Sequence, residues 1–115
     1  MKISSKPRRY LQQQYAALRQ SLARIAYISD GSVVDRARLK PPRTGFQWTR
    51  KIGQKIVTIA LSAEQFQAMK QAIQNRRRLR KIVRTMEVLS RQILFATTRD
   101  TRRFKPLKIR DLRLV

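Results

Sequence analysis

The chain has 115 residues and a net charge of +22, from 28 Lys and Arg against 6 Asp and Glu, with neither His nor Cys. Its length suits one domain, and 42% apolar residues suffice for a small core. The lack of Cys disfavours a secreted disulfide scaffold, and no segment approaches the roughly 18 apolar residues of a membrane span. Because its start also lacks an apolar signal-peptide core, we expect a cytoplasmic protein. The excess of positive charge predicts that its partner is a nucleic acid.

A first helix is predicted over residues 8–28. Apolar residues recur there at intervals of four and three, which is the spacing of one helical face. Pro7 suits the first turn of a helix, and the turn-forming sequence Asp30-Gly31-Ser32 follows the last apolar position. The apolar face consists of Leu11, Tyr15, Leu18, Leu22 and Ile25.

The middle of the chain is rich in strand-forming residues. Val33-Val34 is a short strand candidate. Further along, Pro41-Pro42 forbids a central strand or a helix at its own position. Phe46, Trp48 and Arg50 alternate with Gln47 and Thr49, and residues 56–61 favour a strand. Gly53 lies between these two runs, which predicts a hairpin, and the turn type stays open. We therefore expect an antiparallel sheet of two or three strands.

A second helix is predicted from Ser62 to about residue 97, which completes an α+β fold. Ser62 and Gln65 have the spacing of a capping box, and no Pro or Gly follows within the helix; a break near Asn75 is the alternative. Two apolar stripes lie on different sides of this helix. We expect the first to dock on the hairpin and the second to pack against helix 1. The first consists of Phe66, Met69 and Ile73, and the second of Leu79, Ile82, Met86, Leu89 and Ile93.

The second helix is also strongly basic. Six of the nine residues from 76 to 84 are cationic, and Glu87 is the acid nearest to them. Such spacing places guanidinium groups along one face, as contact with a phosphate backbone requires; the plainer alternative is a solvated helix face. Because like charges one turn apart destabilise a helix, we favour nucleic-acid contact. The predicted contacts are Arg76, Arg77, Arg80, Lys81, Arg84 and Arg91.

The predicted domain spans residues 1–97, and residues 98–115 are expected to form an extended basic arm that becomes ordered on its partner. Seven Lys and Arg lie in this arm among scattered apolar residues, and Pro106 disfavours a helix. The predicted nucleic-acid contacts of the arm are Arg102, Arg103, Lys105 and Lys108.

Aromatic residues are candidates for stacking on unpaired bases, as strand aromatics do in several RNA-binding folds. The candidates are Tyr10, Tyr27, Phe46 and Trp48, and core packing is the competing interpretation. We expect Phe46 in the core and assign the base contact to Trp48, because cations follow it closely in the sequence. These cations are Arg50, Lys51 and Lys55.

Catalysis is not expected. Without His or Cys, the commonest general base and the thiol nucleophile are missing, and the few carboxylates are too scattered to predict two-metal chemistry. A tyrosine nucleophile is disfavoured because Tyr10, Tyr15 and Tyr27 lie in a predicted helix. An amphipathic membrane helix is disfavoured because the apolar residues of helix 2 lie on two sides. We predict no catalytic residue, no metal site and no cofactor.

Three segments resemble a known family. They are Arg50-Lys51-Ile52-Gly53-Gln54-Lys55, Leu61-Ser62-Ala63-Glu64-Gln65 and Ile73-Gln74-Asn75-Arg76-Arg77-Arg78-Leu79. Over about residues 10–95 the chain is similar to a family of small uncharacterised prokaryotic proteins, often linked to transposons and other mobile elements. Many members carry a cysteine-containing connector where this chain has Leu39-Lys40-Pro41-Pro42-Arg43, so no metal knuckle is implied. The resemblance implies a mobile-element setting and no particular activity.

The predicted function is non-catalytic nucleic-acid binding led by phosphate contacts. No short helix with a tight Gly turn precedes a reading helix, so we expect recognition of backbone and shape rather than direct base readout. We favour an accessory subunit of a mobile-element or RNA-guided ribonucleoprotein that grips structured RNA or an RNA–DNA hybrid. The alternatives are a ribosomal-type structural protein, and a DNA-binding regulator or nucleoid-type protein that forms a homodimer through its helical stripes.

Overall fold

A computed structural model describes residues 7–97 of the chain. It contains two helices and a three-stranded antiparallel sheet, which confirms the predicted α+β class. The second helix is continuous through Asn75, so the alternative of a break there is wrong. In chain order the elements are α1 (Arg8–Ala23), β1 (Ser32–Asp35), a 3₁₀ helix (Arg36–Arg38), β2 (Phe46–Ile52), β3 (Lys55–Leu61) and α2 (Ala63–Thr97).

The chain divides into two compact units. Within the described residues, the first unit comprises those up to Arg24 together with those from Arg80 onwards, and so contains α1 and the C-terminal part of α2. The second runs from Ile25 to Leu79 and contains the sheet and the N-terminal part of α2. The predicted arm, residues 98–115, lies outside the described residues.

In the first unit, helix residues that the apolar pattern selected are buried. Leu11 of α1 is 2% exposed, and Ile82 and Leu89 of α2 are 9% and 7% exposed. Both α2 residues belong to the second predicted stripe, so its place in the core is confirmed for these two positions. Its other members, Leu79, Met86 and Ile93, are half-buried. Both helices also line a shallow groove of about 370 Å³, formed by Gln12, Tyr15, Ala16, Arg19, Ser90, Ile93 and Leu94.

The first helix ends at Ala23, earlier than predicted. The predicted end was wrong because hydrogen bonds to α2 replace helical ones in the segment that follows. Asn75 Nδ2 donates to the carbonyl oxygen of Tyr27 at 2.9 Å, and the Ser29 amide donates to the carbonyl oxygen of Ala72 at 3.2 Å. In the second unit this segment therefore lies against α2 without helical structure.

The sheet has the strand order β1-β2-β3, and both neighbouring pairs are antiparallel. Its register pairs Trp48 of β2 with Val33 of β1 and with Ile59 of β3. The turn between β2 and β3 has two residues, of which Gly53 adopts φ +61° and Gln54 does not adopt a positive φ. A glycine of positive φ in the first position is typical of a type II′ turn, so the predicted hairpin is confirmed and its turn is defined.

One face of the sheet packs on the N-terminal part of α2. Side chains alternate along a strand, so Phe46, Trp48 and Arg50 share one face of β2. The Phe46 ring stacks on Phe66 of α2, with the ring centroids 4.5 Å apart. Ile73, two turns further along α2, is 7% exposed. The first apolar stripe therefore docks on the hairpin, as the sequence predicted.

The start of α2 is defined by a local hydrogen-bond pair. Ser62 Oγ accepts a hydrogen bond from the Gln65 amide at 3.1 Å, and Gln65 Oε1 accepts one from the Ser62 amide at 2.9 Å. Glu64 adds a negative charge in the first turn, where the helix dipole favours it. The predicted capping box is thus confirmed, and it satisfies two amide donors that helix geometry leaves without partners.

Candidate nucleic-acid interface

The exposed cations of α2 form the strongest candidate site. Four of them, at positions i, i+3, i+4 and i+7, share the side of the helix that lies away from Ile82 and Leu89. All four are exposed, whereas Ile82 and Leu89 are buried. Their charged groups can therefore meet a phosphate from solvent without any rearrangement of the core. This surface, which we call the cationic face, consists of Arg77, Arg80, Lys81 and Arg84.

Two further predicted contacts flank the cationic face, and both are half-buried. Arg76 precedes it directly, and Arg91 follows it about two helical turns later. The Nε atom of Arg91 is enclosed and has no hydrogen-bond partner among the described residues, which is unfavourable for a charged group. These two arginines are therefore less open to a ligand than the four residues between them.

The charge of the cationic face is not neutralised within the described residues. The one ion pair found in residues 7–97 joins Arg50 and Asp30 and involves no residue of α2. Between residues 76 and 91 the helix carries seven Lys or Arg and a single acid, Glu87. Repulsion between cations one turn apart costs a few tenths of a kcal/mol per pair, and an external polyanion would relieve it.

Trp48, the predicted base contact, is engaged in the fold of the second unit. It is half-buried, and its indole Nε1 donates to the carbonyl oxygen of Asp30 at 3.0 Å. The ring lies so close to Gly31 that a Cβ atom on this glycine would come within 2.5 Å of Nε1. The φ of +89° at Gly31 excludes most other residues as well. The polar edge of Trp48 is therefore occupied, which makes it a weaker stacking candidate than an exposed aromatic ring.

The three cations that follow Trp48 differ in how available they are to a ligand. Arg50 Nε donates to Asp30 Oδ2 at 2.9 Å, so its charge already has a partner. Lys51 lies on the opposite face of β2, because side chains alternate along a strand. Lys55 lies across the hairpin from Ile52. Both lysines are exposed and are better placed for phosphate contact than Arg50.

A fully exposed aromatic ring lies on the segment after α1. Tyr27 is 91% exposed, against 43% for Tyr10. Its backbone is held at the carbonyl oxygen by Asn75, the residue before Arg76 in α2. The ring could stack on a base without losing a packed contact, and the anchored backbone needs little ordering. Sequence reasoning preferred Trp48 because cations follow it closely in the sequence. It also placed Tyr27 in the first helix, and no local feature marks the early end of that helix.

Comparison of the chain with family models, curated proteins and solved structures found no match. The resemblance to a mobile-element family therefore stays a prediction, carried by three short sequence segments alone. The interpretation of the candidate site depends on its own residues and their geometry.

The predicted contacts of the basic arm, Arg102, Arg103, Lys105 and Lys108, lie outside the described residues. Within residues 7–97, no three His, Cys, Asp or Glu side chains come together in a way that could hold a metal ion. Over the same range, neither helix combines the length and apolar character that crossing a bilayer requires. The cationic face and Tyr27 are thus the features of the described chain on which a functional proposal can rest.

Proposed function

We propose that this protein is a non-catalytic nucleic-acid-binding protein, acting as an accessory subunit of a ribonucleoprotein that contains structured RNA or an RNA–DNA hybrid. The observation that carries the proposal is the cationic face of α2. Its four cations are exposed, lie away from a buried apolar side and have no carboxylate partner in the described residues. The proposed setting is the prokaryotic cytoplasm or nucleoid, and the mobile-element association comes from the family resemblance alone.

The shape of the cationic face favours a nucleic acid over other polyanions. From Arg77 to Arg84 the face extends about 10 Å along the helix axis. Duplex DNA carries one negative charge per roughly 1.7 Å of its axis, so a face of this length meets several phosphates. A membrane surface would also require an apolar stripe beside the cations. The buried Ile82 and Leu89 lie on the other side of α2, which disfavours that alternative.

Tyr27 supports a ligand with unpaired bases. A tyrosine that is 91% exposed contributes little to folding, whereas aromatic rings stack on bases in many complexes with single-stranded nucleic acid. Base pairs inside a regular duplex already stack on each other and offer no free face to such a ring. Structured RNA with loops or bulges therefore fits this residue better than plain duplex DNA.

Binding measured over a series of salt concentrations tests the proposal. We expect the logarithm of the association constant to fall with the logarithm of the salt concentration, with a slope of about −3 or steeper. Each neutralised phosphate contributes roughly −0.9 to this slope on duplex DNA and roughly −0.7 on a single strand. The ligands are a stem-loop RNA, an RNA–DNA hybrid and duplex DNA of equal length. A slope shallower than about −3 on all three would contradict binding led by phosphate contacts. Equal affinity for all three would favour the nucleoid-type DNA binder instead.

A further inference from the structure

The third strand of the sheet has a free edge. In the order β1-β2-β3, strand β3 pairs with β2 on one side, and no described residue pairs with its other side. The outer edge of a strand presents unpaired backbone N–H and C=O groups, which can accept another strand. Pairing of this kind requires an edge that is long enough and carries no charge or proline to prevent it.

The two edges of this sheet differ in how well they resist pairing. Strand β1 has four residues and a 3₁₀ helix follows it at once, so it offers little length. Strand β3 has seven residues, contains neither Pro nor an acid, and carries its one charge on its first residue, Lys55. Ile56 and Ile59 of β3 are 72% and 49% exposed. Protected edges usually carry charges or proline along their length, and β3 has neither beyond Lys55.

The sequence of β3 is complementary to itself. An antiparallel pair of two copies, centred on Thr58, aligns all seven residues of the strand. It places Lys55 opposite Leu61 of the other copy, so no like charges oppose each other. The remaining pairs join apolar, β-branched or threonine side chains, which stabilise antiparallel strands. They are Val57 with Ile59, Ile56 with Ala60, and Thr58 with Thr58.

The same register keeps the packed faces of both copies on one side. Opposed residues are separated by an even number of positions in the sequence, so they share a face of the joined sheet. The face that carries Phe46 and Trp48 would then continue from one copy into the other. Ile59, half-exposed at the free edge, would pack beside Val57 of the other copy and lose contact with water.

We propose that β3 is a dimerisation edge, at which two copies of this chain join into a continuous six-stranded antiparallel sheet. A second copy is favoured over an unrelated peptide because the register of β3 is self-complementary. The net charge of +22 on each chain opposes association, and salt screens such repulsion beyond about 10 Å at 0.1 M. Dimerisation therefore strengthens as salt rises, whereas phosphate binding weakens. The dimer does not depend on nucleic-acid binding, so the two proposals can fail separately.

Sedimentation equilibrium of the full chain without nucleic acid, at salt concentrations from about 0.1 to 0.5 M, is the first test. At the higher salt we expect a species of twice the 13.6 kDa of one chain. Its dissociation constant should fall as salt rises. A chain that stays monomeric at every salt and protein concentration would overturn the proposal.

A charge swap at Thr58 is the second test. Thr58→Lys and Thr58→Glu each place two like charges opposite each other at the centre of the pair, although they change the net charge in opposite directions. Each variant alone should dimerise about tenfold more weakly, and an equal mixture should dimerise again because Lys then faces Glu. Thr58 is exposed and lies on the face opposite Trp48, so neither change disturbs a packed contact.

Gln54→Lys is the matched control, because it adds the same charge at the exposed hairpin turn and outside the paired strand. It should leave the dimer intact, and circular dichroism should show the same fold in all variants. Dimers that persist in both Thr58 variants, or a mixture that stays monomeric, would overturn the β3 edge as the site of association.

Discussion

The cationic face of α2 and the β2 segment around Trp48 were both predicted to bind nucleic acid. They differ in whether their polar groups already have a partner within the protein. On α2, four exposed cations lack a carboxylate partner among the described residues. On β2, Arg50 pairs with Asp30, and the indole of Trp48 donates to the carbonyl oxygen of the same residue. In a chain with so few acids, the position of one aspartate decides which cations stay available to a ligand.

A charge placed on the buried side of α2 should have the largest effect. Leu89 is 7% exposed, so Leu89→Asp would bury a carboxylate without a partner and lower the free energy of unfolding by about 3 kcal/mol or more. That is a large part of the stability of a small domain. Chemical denaturation followed by circular dichroism measures the loss.

Thr85→Asp, at an exposed position of the same helix, is the control and should change stability little. Equal stability of the two variants would show that Leu89 does not face a core, and that the cationic face has no buried side opposite it.

Removing charge from the cationic face should have the next largest effect. With Arg77, Lys81 and Arg84 replaced by Gln, we expect a salt slope shallower by roughly 2 to 3, and an affinity on the order of 100-fold weaker at 0.1 M salt. The fold should be preserved, because all three side chains are exposed. Fluorescence anisotropy with a labelled RNA, repeated over the salt series, gives both quantities.

A matched triple variant separates local contacts from total charge. Arg38, Lys40 and Arg43 are also exposed, and their replacement by Gln removes the same three charges from the connector before β2. This variant should lose much less affinity than the α2 variant. Equal losses would mean that net charge alone drives binding and that the cationic face is only a solvated surface.

Tyr27 should influence which ligand is preferred, because it should add affinity only for ligands with unpaired bases. Stacking on an aromatic ring contributes about 1 to 3 kcal/mol per base, so Tyr27→Ala should weaken binding to an RNA with unpaired bases roughly tenfold. Binding to duplex DNA should stay almost unchanged, and Tyr27→Phe should keep the preference. Trp48→Phe removes the hydrogen bond to Asp30 and is expected to lower the melting temperature with little effect on ligand choice. In the opposite pattern, Trp48→Phe abolishes the preference for RNA with unpaired bases and Tyr27→Ala keeps it. That result would assign the base contact to Trp48, as the sequence predicted.

The smallest effect expected is a gain of affinity. Asp30→Asn would free the Arg50 guanidinium from its ion pair, adding one available cation and steepening the salt slope by up to about 0.9. The double change of Asp30→Asn with Arg50→Gln removes both charges of the pair and should leave binding nearly unchanged. The ion pair is partly exposed, so either change should cost at most about 1 kcal/mol of stability. Weaker binding after the double change, with no gain after Asp30→Asn alone, would show that Arg50 contacts the ligand in spite of its partner.

Local sequence patterns predicted most of the fold because their causes act within a few residues. Ser62 and Gln65 form the expected capping box, the hairpin turns at Gly53, and the two stripes of α2 are found where helical spacing puts them. The end of α1 could not be predicted in this way. It depends on the hydrogen bond from Asn75 to Tyr27, which lies 48 positions away in the sequence.

The sequence by itself determined the excess of positive charge, the order of the elements and the side of α2 that carries its cations. Helical spacing converts sequence positions directly into faces of the helix, so these features needed no tertiary information. Only the tertiary structure decided that Asp30 neutralises Arg50, that Trp48 lies against Gly31 and that Tyr27 is exposed. Each of these outcomes depends on residues from different elements that come together only when the chain folds.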